Sequence, residues 1–121
     1  MKGAILVSTC GTLFEASCAA LSRAWPSLIR AEGVAQVCVT GGGLFNLYSG
    51  ADPRWEWLPD TAGLVEDDEV LVGCAIECRS EGVVAEAAAL IADEIDDPVW
   101  LIDGDGVVWP ASRIDVASVV L

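Results

Sequence analysis

The order of hydrophobic segments predicts an α+β domain in which two helices pack on one face of an antiparallel sheet. Residues 70–78 alternate as a strand whose two faces are both mostly apolar, and residues 80–95 follow with helical spacing. An earlier strand and helix, at residues 4–8 and 12–24, repeat this order. A strand covered on both faces belongs at the centre of a sheet, so residues 70–78 are expected there.

The first strand and helix are predicted from a short apolar run followed by helical periodicity. Residues 4–8 are apolar up to the final serine and indicate a buried strand. Thr12 followed by Glu15 matches the capping box that begins many helices. Pro26 is expected to end this helix near Ala24, because proline lacks the amide hydrogen that a helix interior needs. The residues expected on its buried face are Phe14, Cys18, Leu21 and Trp25.

A hairpin is predicted next. Residues 34–40 indicate the second strand, and the three glycines at 41–43 break it. Residues 44–48 are expected to fold back as a hairpin strand. The glycines lack the lysine and hydroxyl residue of a phosphate-binding P-loop, so a turn is favoured over a phosphate site. Glycines and prolines predict a loop over residues 49–69.

The second helix begins with clear capping signals and ends against the usual charge preference. Ser80 is a natural N-cap, and Glu81 is favourable in the first turn. The expected buried stripe is Val84, Ala88, Ile91 and Ile95. Four acids lie at its end, namely Asp93, Glu94, Asp96 and Asp97. Each carboxylate at this negative pole costs about 0.3–1 kcal/mol, so the acids are either tolerated on the surface or completed by an outside cation.

A second hairpin is predicted at the end of the chain. Residues 99–102 form its first strand, and the Asp-Gly-Asp-Gly string at 103–106 turns the chain back. A two-residue turn at 104–105 would place Trp100 opposite Trp109. The same string lacks the ligand spacing of an EF-hand, so a turn is favoured over a calcium site.

Together these elements predict a single domain over residues 1–121 with a ferredoxin-like plan. This plan is a βαββαβ order with an antiparallel sheet and both helices on one face, here extended by the C-terminal hairpin. The alternative is a less regular α+β sheet in which residues 44–48 and 55–58 add strands.

The charge of the chain is strongly negative and unevenly distributed. The formal net charge is −13. Residues 1–50 carry three basic and two acidic residues, whereas residues 51–121 carry three basic and 17 acidic residues. A field of this sign repels nucleic acid and anionic membranes and speeds encounter with basic proteins. The alternative is that the acidic surface only keeps the protein soluble.

The residue types argue against common catalytic and metal sites. The chain has no histidine, which removes the commonest general base and metal ligand. Its five cysteines are an odd number without a zinc spacing, and they indicate a reduced cytoplasm. Cys10 precedes a helix N-terminus and is the candidate for a thiol enzyme, but no base is near it in sequence. We expect no catalytic residues, metal or cofactor.

This chain is small and acidic, has no histidine, and carries tryptophans in its predicted long loop. In these features it resembles the small bacterial immunity proteins that neutralise polymorphic or contact-delivered toxins. The resemblance implies a stoichiometric inhibitor that binds a toxin domain, and a basic toxin fits the charge. No family motif is matched, so no residue role is transferred.

The sequence itself suggests the binding residues of such an inhibitor. Acids would steer a basic partner, and a tryptophan pair would anchor it unless the pair caps the core instead. These residues are Glu66, Asp67, Asp68, Glu69, Asp93, Glu94, Asp96, Asp97, Trp55 and Trp57. The expected protein is a cytoplasmic monomer or homodimer. The alternative functions are a ligand-binding or regulatory ferredoxin-like module and a cysteine-dependent enzyme.

Overall fold

The computed structural model describes residues 3–39, 41, 43–51 and 71–121. These residues form an α+β fold in which seven strands make one antiparallel sheet and two helices accompany it. The strands are β1 (Gly3–Ser8), β2 (Ile29–Ala31), β3 (Val34–Val39), β4 (Gly43–Ala51), β5 (Val72–Cys78), β6 (Val99–Ile102) and β7 (Val108–Pro110). The helices are α1 (Leu13–Ala24) and α2 (Glu81–Glu94). Their order across the sheet is β2-β3-β4-β5-β1-β6-β7.

The central position predicted for residues 70–78 is confirmed over the part that the structure describes. Strand β5 is the middle strand of the seven and pairs with β1 and β4. Both helices contact β5 and each other, so they lie on the same face of the sheet. Cys74, Ile76 and Cys78 alternate along this face and are almost completely buried. The apolar alternation of β5 therefore corresponds to helix-covered positions.

The hydrophobic core lies between this sheet face and the helices. Cross-strand neighbours form rows beneath the helices, for example Leu6 opposite both Cys74 and Leu101. The Trp25 ring at the end of α1 meets Phe45 of β4 edge to face, with ring centroids 5.7 Å apart. This geometry suits two aromatic quadrupoles. Fully buried large side chains in this core include Leu6, Leu13, Leu21, Phe45, Leu47, Ile91 and Leu101.

The strand order differs from a simple βαββαβ plan, and the ferredoxin-like topology is not confirmed. Four antiparallel strands, β2 to β5, lie between α1 and α2, where the plan has two. Strand β7 widens the sheet at its other side. The sequence did not predict β2 because Ile29, Arg30 and Ala31 are all exposed and show no buried alternation. Gly33, with φ of 74°, makes the turn from β2 to β3.

The structure confirms the predicted β3–β4 hairpin, the Ser80 cap at the start of α2 and the end of α1 at Ala24. Strand β3 pairs with β4, which is longer than predicted. The Ser80 hydroxyl accepts the Val83 amide hydrogen at 3.3 Å, as expected of an N-cap. Helix α1 ends at Ala24, as Pro26 predicts. The predicted capping box is wrong, because the Thr12 side chain makes no capping bond and lies 3.5 Å from the Cys10 sulfur.

The predicted register of the last hairpin is also wrong. Trp109 lies opposite Leu101, and Trp100 lies opposite Pro110. The connection between β6 and β7 is five residues, 103–107, rather than the predicted two-residue turn. The cause is Asp103, which is 2% exposed and is held inside the turn by its own hydrogen bonds. A buried carboxylate needs several donors, and a two-residue turn has no room to supply them.

The Asp103 carboxylate joins three parts of the fold. Its Oδ1 accepts the amide hydrogens of Asp105 at 2.9 Å and Val107 at 3.0 Å. Its Oδ2 accepts the Trp109 indole hydrogen at 2.9 Å and the Val120 amide hydrogen at 3.3 Å. The segment 111–121 is thereby fixed to the hairpin.

Candidate partner-binding surface

Helix α2 presents a polar face because its other face is buried against the sheet and α1. The buried residues are Val83, Val84, Ala87, Ala88 and Ile91. On the remaining surface Glu86, Ala89 and Asp93 are exposed, and Leu90 is half-buried. The Ser80 cap fixes where the helix begins, and the buried stripe fixes its rotation about its axis. These two constraints place the acids of α2 in solvent.

The four acids predicted at the end of α2 lie together and are all exposed. Asp93 and Glu94 belong to the last turn, and Asp96 and Asp97 follow before β6 begins. Ile95 between them is 8% exposed and donates its amide hydrogen to the Ile91 carbonyl at 3.1 Å. This buried residue anchors the segment, so the acids flank a fixed point of the backbone.

One of these acids already has a cation from within the chain. Glu94 forms an ion pair with Arg23, which joins the last turns of the two helices. The hydrogen bond and charge of Arg23 lower the pKa of the Glu94 carboxyl. Asp93, Asp96 and Asp97 form no ion pair with any described residue. A cation from outside the chain would therefore offset the charges of Asp93, Asp96 and Asp97 rather than that of Glu94.

A shallow groove adjoins the acidic end of α2. It has a volume of about 310 Å³ and is lined by Glu86, Ala89, Leu90, Asp93 and Ser112. Ala89 and Leu90 form its apolar floor between the two acids. Glu86 and Asp93 are seven residues apart, which is about 10 Å along the axis and nearly the same side of a helix. The opposite wall is Ser112 of the 111–121 segment, which follows Ala111, whose amide donates to the Val99 carbonyl at 3.0 Å.

The other predicted binding residues fall in a stretch that the structure does not describe. Trp55 and Trp57 lie there, and so do Glu66, Asp67, Asp68 and Glu69. Their proposed roles as anchors and steering charges therefore stay predictions. Within residues 71–121 alone, ten acids stand against two arginines, so the described part retains the charge asymmetry.

A second cavity lies between the start of α1 and the β2–β3 turn. Its volume is about 590 Å³. The Arg30 guanidinium lies 5.4 Å from the centre of the Phe14 ring and pairs with Glu15. The hydrogen bond to Glu15 raises the pKa of Arg30. The lining residues are Phe14, Glu15, Arg30, Ala31, Glu32, Gly33 and Ser49. This cavity could admit a small molecule, but its arginine is already paired.

The five cysteines are free thiols in differing environments. Burial raises the pKa of Cys74 to about 12, and burial also raises that of Cys18. Both thiols are therefore protonated and unreactive at neutral pH. The Cys10 amide hydrogen is donated to the Ser8 hydroxyl at 3.0 Å, and this hydroxyl donates to the Pro98 carbonyl at 2.7 Å. These bonds connect the end of β1 to the residue before β6, and neither of them brings a general base to the Cys10 thiol.

Neither a metal site nor a membrane span is found in the part of the chain that is described. No three histidine, cysteine or acidic side chains are grouped to hold an ion there. None of the helices there has the length and apolar character needed to cross a bilayer. Comparisons with protein-family models, curated proteins and solved structures found no match to this chain.

The groove was missed at the sequence level, although its signal was present. Glu86, Leu90 and Asp93 follow the i, i+4, i+7 spacing of one helical face. That face is opposite the buried stripe, so the three residues could have been assigned to one solvent-facing strip. What the sequence could not show is Ser112 beside it, because the position of Ser112 depends on the pairing of the Ala111 amide with the Val99 carbonyl in the folded chain.

Proposed function

We propose that this protein is a stoichiometric inhibitor of the immunity type, which binds a basic toxin domain and neutralises it. The binding surface is the acidic end of α2 together with the adjoining groove. The observation that carries the proposal is the set of three exposed carboxylates, Asp93, Asp96 and Asp97, which pair with no described cation and of which Asp93 also lines the groove. Such a surface attracts basic proteins and repels nucleic acid and anionic membranes.

The placement of these acids supports an interaction role. Carboxylates at a helix C-terminus oppose the helix dipole, so the fold gains nothing from Asp93, Asp96 and Asp97 at this position. Glu94 shows the alternative, since Arg23 from the same chain offsets its charge. A basic partner would offset the other three in the same way. Trp55, Trp57 and residues 66–69 are further contact residues in this proposal, on the sequence argument alone.

We also propose a ferredoxin-like topology and a cytoplasmic location for this protein. The inner strand order β4-β5-β1-β6, with two helices on one face, supports a ferredoxin-like core that would be widened by β2, β3 and β7. Free thiols are typical of a reducing cytoplasm, where the inhibitor would meet its toxin. Like the charge argument, these points support the proposal without naming the toxin.

A second candidate function is a small-ligand or regulatory module, favoured by the cavity at Phe14 and Arg30. A polar ligand there would have to compete with Glu15 for the arginine. A metabolite that raises the melting temperature of the wild type, but not of Arg30→Gln, would favour this function over the inhibitor.

The inhibitor proposal is tested by capture and by activity. Tagged protein is used to capture partners from a lysate of the cells that produce it, with washes at low and high salt, and the partner is then purified. The proposal expects one basic protein in equimolar amount whose toxic activity is lost when the complex forms. A captured protein that keeps its full activity in the complex, or a captured protein that is acidic, contradicts it.

A further inference from the structure

We infer that the groove between α2 and the 111–121 segment receives a basic helix, one that carries lysine or arginine at positions i and i+7 and a small or apolar residue between them. This inference rests on the proposed function and specifies the partner's contacting element. It names an occupant for the groove formed by Glu86, Ala89, Leu90, Asp93 and Ser112.

The first argument is the spacing of charge. Glu86 and Asp93 lie on one side of α2 at about 10 Å separation. Both are exposed, and neither pairs with a described cation. Two cationic side chains on another helix have the same separation when they are seven residues apart. Neighbouring side chains on one face of a strand are only about 6–7 Å apart, so a strand matches the acids less well.

The second argument is the apolar floor. Ala89 is exposed and Leu90 is half-buried, so the strip between the acids offers apolar surface that water covers poorly. Lysine and arginine lay their aliphatic stems along such surface while the charged head reaches a carboxylate. Alanine at position 89 also lets a second helix approach closely, because interhelical distances depend on the side chains at the contact.

The third argument is the rigidity of the walls. One wall is α2, whose opposite face is buried in the core. The other wall is Ser112, and its two neighbours are held by backbone hydrogen bonds: the Ala111 amide donates to the Val99 carbonyl at 3.0 Å, and the Arg113 amide donates to the Pro110 carbonyl at 2.9 Å. A groove with fixed walls needs little ordering when a partner binds, which favours affinity.

The experiment is an NMR titration of the full chain with two synthetic helical peptides of identical composition. The matched peptide has arginines at i and i+7 with leucine at i+4. In the control peptide one arginine is moved to the opposite helical face. The protein variants are Glu86→Gln with Asp93→Asn, and Glu32→Gln with Asp105→Asn as an equal charge change at exposed acids elsewhere that form no ion pair with a described residue.

The expected result is that the matched peptide shifts the amide signals of α2 residues 86–93 and Ser112. It should bind about two- to five-fold more tightly than the control peptide at low ionic strength, because the control peptide loses one exposed ion pair. The first variant pair should remove this preference, and the second should keep it. Equal binding of the two peptides, shifts mapped elsewhere, or no binding overturns the groove assignment. A failure of the proposed inhibitor function would appear separately, in the capture experiment, which uses no peptide.

Discussion

Replacing Asp103 tests how the C-terminal end of the 111–121 segment is held to the last hairpin, because this carboxylate accepts the Val120 amide hydrogen. Hydrogen bonds to a charged acceptor contribute about 1.5–3 kcal/mol each. Water can replace the carboxylate at the exposed turn, where Asp105 and Val107 donate. The main loss is the Trp109 indole bond at 2.9 Å, because Trp109 is half-buried, and the longer Val120 bond at 3.3 Å adds less because Val120 is 40% exposed. We therefore expect Asp103→Ala to lower the free energy of unfolding by about 3 kcal/mol.

The assay is chemical denaturation, supported by thermal melts and amide exchange. A loss of this size lowers the melting temperature of a domain this long by about 10–15 °C. Asp103→Asn should lower the free energy of unfolding by less, about 2 kcal/mol, because the asparagine side chain keeps one acceptor oxygen while its amide group faces the other donors. The Val120 amide should exchange faster in both variants. Asp105→Asn is the control, since it removes the same charge from an exposed neighbour and should change stability by under about 0.5 kcal/mol.

The reasoning is refuted if Asp103→Ala is no less stable than the Asp105→Asn control. It is also refuted if stability falls while Val120 exchange is unchanged, because the carboxylate would then not hold the 111–121 segment. A double-mutant cycle with Trp109→Phe isolates the indole bond. We expect coupling between the two sites, since they share a hydrogen bond of 2.9 Å.

Three further predictions concern other parts of the described fold. Gly104→Ala should destabilise the protein by about 1–2 kcal/mol in chemical denaturation, because an added Cβ would lie 3.0 Å from the backbone of the 111–121 segment; unchanged stability would contradict this packing. Glu94→Gln should lower the melting temperature near neutral pH but not in acid. Pairing with Arg23 lowers the pKa of Glu94 in the folded state, so the ion pair stabilises the fold above the ordinary glutamate pKa and stops doing so as the pH falls through the pKa of the folded state. A difference in melting temperature between wild type and Glu94→Gln that persists in acid would contradict this explanation. In alkylation followed by mass spectrometry, exposed Cys38 should react at neutral pH well before buried Cys74, whose pKa is about 12, and equal rates would contradict the burial.

The elements with strong periodicity were predictable from sequence. The central strand, the Ser80 cap and the end of α1 at Ala24 follow directly from apolar alternation, a capping serine and a proline. Strand β2 was not predictable, because its three residues are all exposed and join the sheet through backbone pairing to β3 alone. Backbone pairing leaves no side-chain pattern to detect.

The last hairpin shows a different limit. Its Asp-Gly-Asp-Gly string supports both a two-residue turn and the longer turn that occurs. The choice depends on Trp109 and Val120, which meet Asp103 only in the folded chain. For the candidate site, the exposed acids at the end of α2 were predictable from the helix pattern, whereas the pairing of Glu94 with Arg23 required the packing of α1 on α2.

The central claim is that the acidic end of α2 steers a basic partner. The most direct measurement is the association rate of the captured partner with wild type, with Asp96→Asn plus Asp97→Asn, and with the Glu32→Gln plus Asp105→Asn control. We expect the first variant to associate several-fold more slowly at low ionic strength and with a shallower salt dependence, and the control to match wild type. Equal rates for wild type and both variants at low ionic strength would contradict the claim.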